Sequence, residues 1–97
     1  MASVADLVEP DAIRERAGEY LARAGQVLRD GGHVRLDGFG PTRVTAEVAD
    51  GDSRAVVLES TSVGLIASCG CGGTADALCP HVVAVAFETW ERAPKRR

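Results

Sequence analysis

The sequence predicts a small α+β domain: one N-terminal helix, an antiparallel meander of three to five strands, and a C-terminal helix packed on the sheet. Three observations predict it. The hydrophobic period is helical from Pro10 to Ala24, changes to two between Gln26 and Ser68, and is helical again from Pro80. Turn signals break the middle stretch at short intervals, which suits antiparallel hairpins and not crossovers. The chain has 97 residues, 45% of them hydrophobic, so it can build one small core.

Residues 1–9 are short and mixed, and the sequence predicts a loosely held terminus. A single domain is expected over 10–92. In its first helix, Ile13, Ala17, Tyr20, Leu21 and Ala24 fall on one stripe, with Arg14, Glu15, Glu19 and Arg23 on the other side. Pro10 suits the first turn and Gly25 the C-terminal stop. Gly18 inside the stretch costs about 1 kcal/mol of helix propensity.

The strands follow. Val34 and Leu36 alternate with Arg35 and Asp37, and Val44, Ala46 and Val48 alternate with Arg43, Thr45 and Glu47. Ala55 to Leu58 is a short apolar run, and Val63, Leu65 and Ala67 share a face. Turns are expected at Asp30-Gly31-Gly32, Gly38 to Pro41, Asp50-Gly51-Asp52 and Ser60 to Ser62. The last helix runs from about Pro80 to Trp90 or Arg92. Val82, Val83, Ala86, Phe87 and Trp90 form its stripe, while Ala84 and Val85 lie outside it. The first two turns are therefore apolar almost all round, which predicts a helix buried against the sheet. Pro94 ends it, and residues 93–97 form a basic tail.

Composition limits the function. The net charge is −3, unlike the positive excess usual for a dedicated nucleic-acid binder. The one basic cluster is Arg92, Lys95, Arg96 and Arg97, read first as a solvated helix end and tail. No apolar run approaches the roughly 20 residues of a membrane-spanning helix, and no signal-peptide pattern follows Met1, so a cytoplasmic setting is expected. No Gly-rich phosphate loop, nucleophile elbow or zinc-protease pattern occurs, so neither enzymatic activity nor a small-molecule substrate is expected.

The chemistry gathers in one place. The segment reads Cys69-Gly70-Cys71, then seven residues, then Cys79-Pro80-His81. Cysteines two apart on a strand project from one face, here the face of Val63, Leu65 and Ala67. Gly70, Gly72 and Gly73 let the chain bend closely round an ion, and the loop from Gly72 to Leu78 is long enough to return. Cys79 then precedes the helix and His81 sits in its first turn. Three sulfurs and one nitrogen make a soft tetrahedral donor set that suits zinc. All four positions are filled by protein, so Cys69, Cys71, Cys79 and His81 are expected to hold one structural Zn2+. The alternatives are small buried cysteines beside an unrelated helix-start histidine, and a redox dithiol without the usual two-residue spacer.

This pattern resembles the SWIM zinc finger, in which Cys-x-Cys, a loop and Cys-x-His lead into an apolar helix. The resemblance assigns the finger to about 54–92 and implies that Cys69, Cys71, Cys79 and His81 are the zinc ligands. Upstream, Gly18 and Tyr20, Gly25 and Val27, and Val44-Thr45-Ala46-Glu47-Val48 are similar to the region before the finger in bacterial SWIM-containing proteins. The sequence departs from many members at Pro80, where a lysine is common, and at Gly72, where a proline is common. SWIM domains occur in chromatin-remodelling ATPases, Mutator-type transposases and kinase-associated proteins, as modules that bind protein or DNA.

Other residues receive plainer readings. His33 is read as an exposed turn histidine, and Asp50, Asp52 and Glu59 as turn and surface acids. Glu88 is read as facing solvent, with a role in orienting His81 as the alternative. Phe39 is read as a packed loop aromatic, with an exposed contact point as the alternative. The leading functional expectation is a non-catalytic zinc-stapled module that binds a protein partner through its sheet edge and loops. A DNA-binding module using Arg92, Lys95, Arg96 and Arg97 is the second, and an enzyme or zinc-linked redox switch the third.

Overall fold

In the computed structural model, residues 3–62, 64–69 and 79–92 are described. In chain order they form α1 (Val4–Leu7), α2 (Pro10–Ala17), α3 (Glu19–Asp30), β1 (Val34–Phe39), β2 (Arg43–Asp50), β3 (Asp52–Thr61), β4 (Gly64–Cys69) and α4 (Pro80–Arg92). The strands make one antiparallel meander in the order β1-β2-β3-β4. This is the α+β fold that the periodicities predict.

Alternation decides which face of the sheet is covered. Val44, Ala46 and Val48 of β2, Val56, Leu58 and Ser60 of β3, and Leu65 and Ala67 of β4 are buried. Their registers align them in rows: Val34 opposes Val48, Ala46 opposes Val56, and Leu58 opposes Ala67. The other face carries Arg35, whose guanidinium lies 3.0 Å from Asp37 and 3.4 Å from Glu47. Near the end of β1 the register slips between Leu36 and Gly38. A Cβ at Gly38 would stand 2.7 Å from Thr45 Oγ1, so a side chain there would collide across the strands.

α4 lies across the buried face and meets all four strands, with α1, α2 and α3 packed around it. Val82, Val83, Ala84, Val85, Ala86, Phe87 and Thr89 are all buried, because one side of α4 meets the sheet and the other meets α3. That is the physical reason the helix is apolar nearly all round.

The N-terminal third differs from its sequence reading. Residues 3–8 are not loosely held. Ser3 and Asp6 form a capping box on α1, Val4 donates its N–H to Pro41 O at 2.8 Å, and Val4 and Val8 are fully buried. The single helix expected over 10–24 is two helices. Gly18 sits between them at φ 90°, a conformation that a residue with a Cβ enters only at a cost. Gly25 is not the stop. It lies inside α3, where a Cβ would meet Val83 Cγ1 at 2.5 Å, so its missing side chain is where α3 rests on α4. α3 ends at Asp30 with Gly31 as its C-cap, and Gly32 follows at φ 76° with the paired bonds of a Schellman motif, Gly32 N–H to Arg29 O and His33 N–H to Leu28 O. The strand period expected from Gln26 therefore begins only at Val34.

The break at Gly18 also resets the helix phase. Ala22 and Gly25 face inward, and Tyr20, expected on the core stripe, is 79% exposed. Below these contacts, Arg29 of α3 reaches α4. Its Nε lies 3.4 Å from Glu88 Oε1, close enough for an ion pair but not aligned as a hydrogen bond, and its Nη2 lies 3.7 Å from Glu91.

Candidate metal centre

The site sits where β4 ends and α4 begins. β4 alternates, with Leu65 and Ala67 buried and Cys69 next on the same face, opposite Val56. Its position is fixed from two sides: β3 pairs along it, and Arg16 of α2 donates from Nη1 to Leu65 O at 3.1 Å. Cys79 immediately precedes α4, and its carbonyl accepts the helical hydrogen bond from Val83 N–H at 3.0 Å. Pro80 opens the helix, where a missing N–H costs nothing, and His81 follows in the first turn. The buried run Val82–Phe87 fixes α4 in the core and with it the direction in which Cys79 and His81 point.

The ligand atoms of Cys69, Cys79 and His81 all lie within 4.8 Å of one another, and each residue is half-buried. Cys79 Sγ and His81 Nδ1 are 3.7 Å apart. A tetrahedral zinc with Zn–S near 2.3 Å and Zn–N near 2.0 Å separates neighbouring ligand atoms by about 3.5–3.8 Å. The observed pair already has the length of such an edge. The donor set is soft, two sulfurs and an imidazole nitrogen, and it can bind a metal ion of zinc's preferences.

Three of the four ligands expected from the sequence are thus brought together from two elements. The fourth, Cys71, lies outside the described residues, as do Gly70, Gly72, Gly73 and the rest of the loop to Leu78. Lys95, Arg96 and Arg97 of the basic tail also lie outside them. Arg92 is described: its Nε donates to Glu88 Oε2 at 2.7 Å. Glu88 neither faces solvent nor serves His81. Its side chain is 16% exposed and lies between Arg29 and Arg92, where two guanidinium groups balance one carboxylate. His33 is exposed beside its Gly-Gly turn. Phe39 lies at the end of β1 and is 46% exposed, so it is not packed.

Two residues that build the site are not legible as such in the sequence. Arg16 resembles any other charge on a helix's polar face, and nothing in the sequence points it at a strand carbonyl. Gly25 was visible, but as a helix stop.

No helix among the described residues is long and apolar enough to cross a membrane. Compared with models of protein families, with curated proteins and with solved structures, the chain matches none of them.

Proposed function

We propose that the chain is a non-catalytic zinc-binding interaction module of SWIM type. One structural zinc is held by Cys69, Cys71, Cys79 and His81, and the fold it staples presents a surface to a protein partner. The observation that carries this reading is the convergence of Cys69, Cys79 and His81 within 4.8 Å, although they come from the end of a strand and the start of a helix ten residues later. A closed set of four protein ligands leaves no position for water or substrate, which suits a structural site. Zinc binding to such sites in small fingers supplies on the order of 10 kcal/mol at neutral pH, comparable to the whole stability of a domain this size. Tyr20 and Val27, two turns apart on α3 and both exposed, offer an apolar surface that suits contact with protein. The nucleic-acid alternative gains no support from Arg92, whose guanidinium is engaged by Glu88.

Elemental analysis of untagged protein tests the metal. One zinc per chain is expected, and cobalt substitution should give the visible absorption of a tetrahedral thiolate site, weakened in Cys71→Ser. A chain purified under reducing conditions without stoichiometric metal, and taking up none on titration, refutes the reading. Titration with duplex DNA at low ionic strength tests the alternative, for which a steep loss of affinity with added salt is the signature.

A further inference from the structure

We infer that Cys69 and Cys79 are a redox pair, whose two sulfurs close into a disulfide that keeps β4 tied to α4 when no cation lies between them. The inference rests on the proposed zinc site for its physiological sense but not for its geometry. Both residues are half-buried, and both present Sγ within the same 4.8 Å cluster. Each terminates an element anchored independently of the other. β4 is held by β3 and Arg16, and α4 by its buried run. The backbones on either side of the pair are therefore already placed, and the two sulfurs, within 4.8 Å of each other, must close to about 2.05 Å to bond. Half-burial leaves them open to a small oxidant.

The chemistry is that of a hydroperoxide with two thiolates. One sulfur attacks a peroxide oxygen, the O–O bond breaks, and a sulfenic acid forms while an alkoxide, or hydroxide from hydrogen peroxide, leaves and takes a proton. The second thiolate attacks the sulfenic sulfur, the S–S bond forms, and the expelled hydroxide takes a proton to become water. Two electrons pass from the pair of sulfurs to the peroxide. Oxidation converts two anionic donors into a poor ligand, so the same step that releases a bound cation installs a covalent link in its place.

The test uses the full chain in three states: reduced and zinc-loaded, reduced and metal-free, and metal-free after one equivalent of hydrogen peroxide. The oxidised chain is digested without reduction and mapped, and amide exchange is read across α4 in the presence of chelator. Peptides containing Cys69 and Cys79 should be joined, Cys71 should remain alkylatable, and α4 should keep protection that the reduced metal-free chain loses. The variant Cys71→Ser, which retains both sulfurs of the pair, should form the same bond. A bond involving Cys71, a link only between chains, no bond, or an oxidised chain without α4 protection overturns the inference. Zinc content of the reduced chain separates the two ideas. A chain that takes no zinc yet joins Cys69 to Cys79 refutes the zinc site alone, and one that takes zinc but joins other sulfurs refutes the redox pair alone.

Discussion

Placing a methyl group at Gly25 tests the packing that holds α4, and so the histidine it carries, in position. An alanine Cβ would stand 2.5 Å from Val83 Cγ1, 2.6 Å from Val83 Cβ and 3.0 Å from the Ala84 nitrogen. Carbon atoms in contact sit roughly 3.5–4.0 Å apart, so α3 must withdraw by about 1 Å. Val83 is fully buried and has nowhere to swing. Overpacking of this kind costs about 1–3 kcal/mol, and replacing glycine by alanine within a helix returns about 0.8–1 kcal/mol. The net expectation for Gly25→Ala is a loss of up to about 2 kcal/mol, or a fall in Tm of up to about 15 °C for a domain of this length. Urea unfolding followed through the single tryptophan, Trp90 on α4, measures it. The decisive arm is the double mutant. Val83→Ala alone should cost about 2 kcal/mol, and it removes the 2.5 Å contact with Cγ1 while the Cβ at 2.6 Å and the Ala84 nitrogen at 3.0 Å remain. In that background part of the collision is gone, so the pair should cost less than the two singles added, by about 0.5 kcal/mol or more. Additive single mutants would show that α3 and α4 do not meet here.

Three further expectations rest on separate features. Stripping metal from the zinc-loaded chain with a chelator should abolish amide protection over at least residues 60–92, and unchanged exchange in Val82–Ala86 would contradict the stapling role. Gly18→Ala places a Cβ at φ 90° in open space, so only backbone strain is added, and a loss of about 1 kcal/mol in urea unfolding is expected with no change in metal uptake. Thr89 Oγ1 is buried without a hydrogen-bond partner among the described residues, so Thr89→Val should leave stability unchanged or raise it by up to about 1 kcal/mol; a loss above that size would mean the hydroxyl is satisfied.

What the sequence discloses about this molecule follows from which physical signals are local. β2 was legible because Val44, Ala46 and Val48 alternate with polar neighbours, and burial on one face of a strand leaves that trace at a spacing of two. The burial of α4 was legible because Ala84 and Val85 fall outside the stripe of Val82, Val83 and Phe87, and only a helix covered on opposite sides tolerates that. Cys69, Cys79 and His81 were legible as a set because scarce side chains at a short spacing stand out, and the structure brings them within 4.8 Å of one another. The N-terminal helices show the other case. A glycine at a helix end, a glycine at a break and a glycine under a crossing helix are the same letter. Gly32, Gly18 and Gly25 fill these three roles, and the partner that distinguishes the third, Val83, lies 58 positions away. A stripe read straight through the break places Tyr20 on the core face, because a helical stripe is only as good as the continuity of its helix. Arg16 and Arg29 illustrate the same limit for charge: each binds an element distant in sequence, Leu65 for one and Glu88 for the other, and a long-range partner leaves no period to read. The candidate site draws on both kinds of signal. Its converging side chains were legible because they are local, and the contacts that aim them were hidden because they are not.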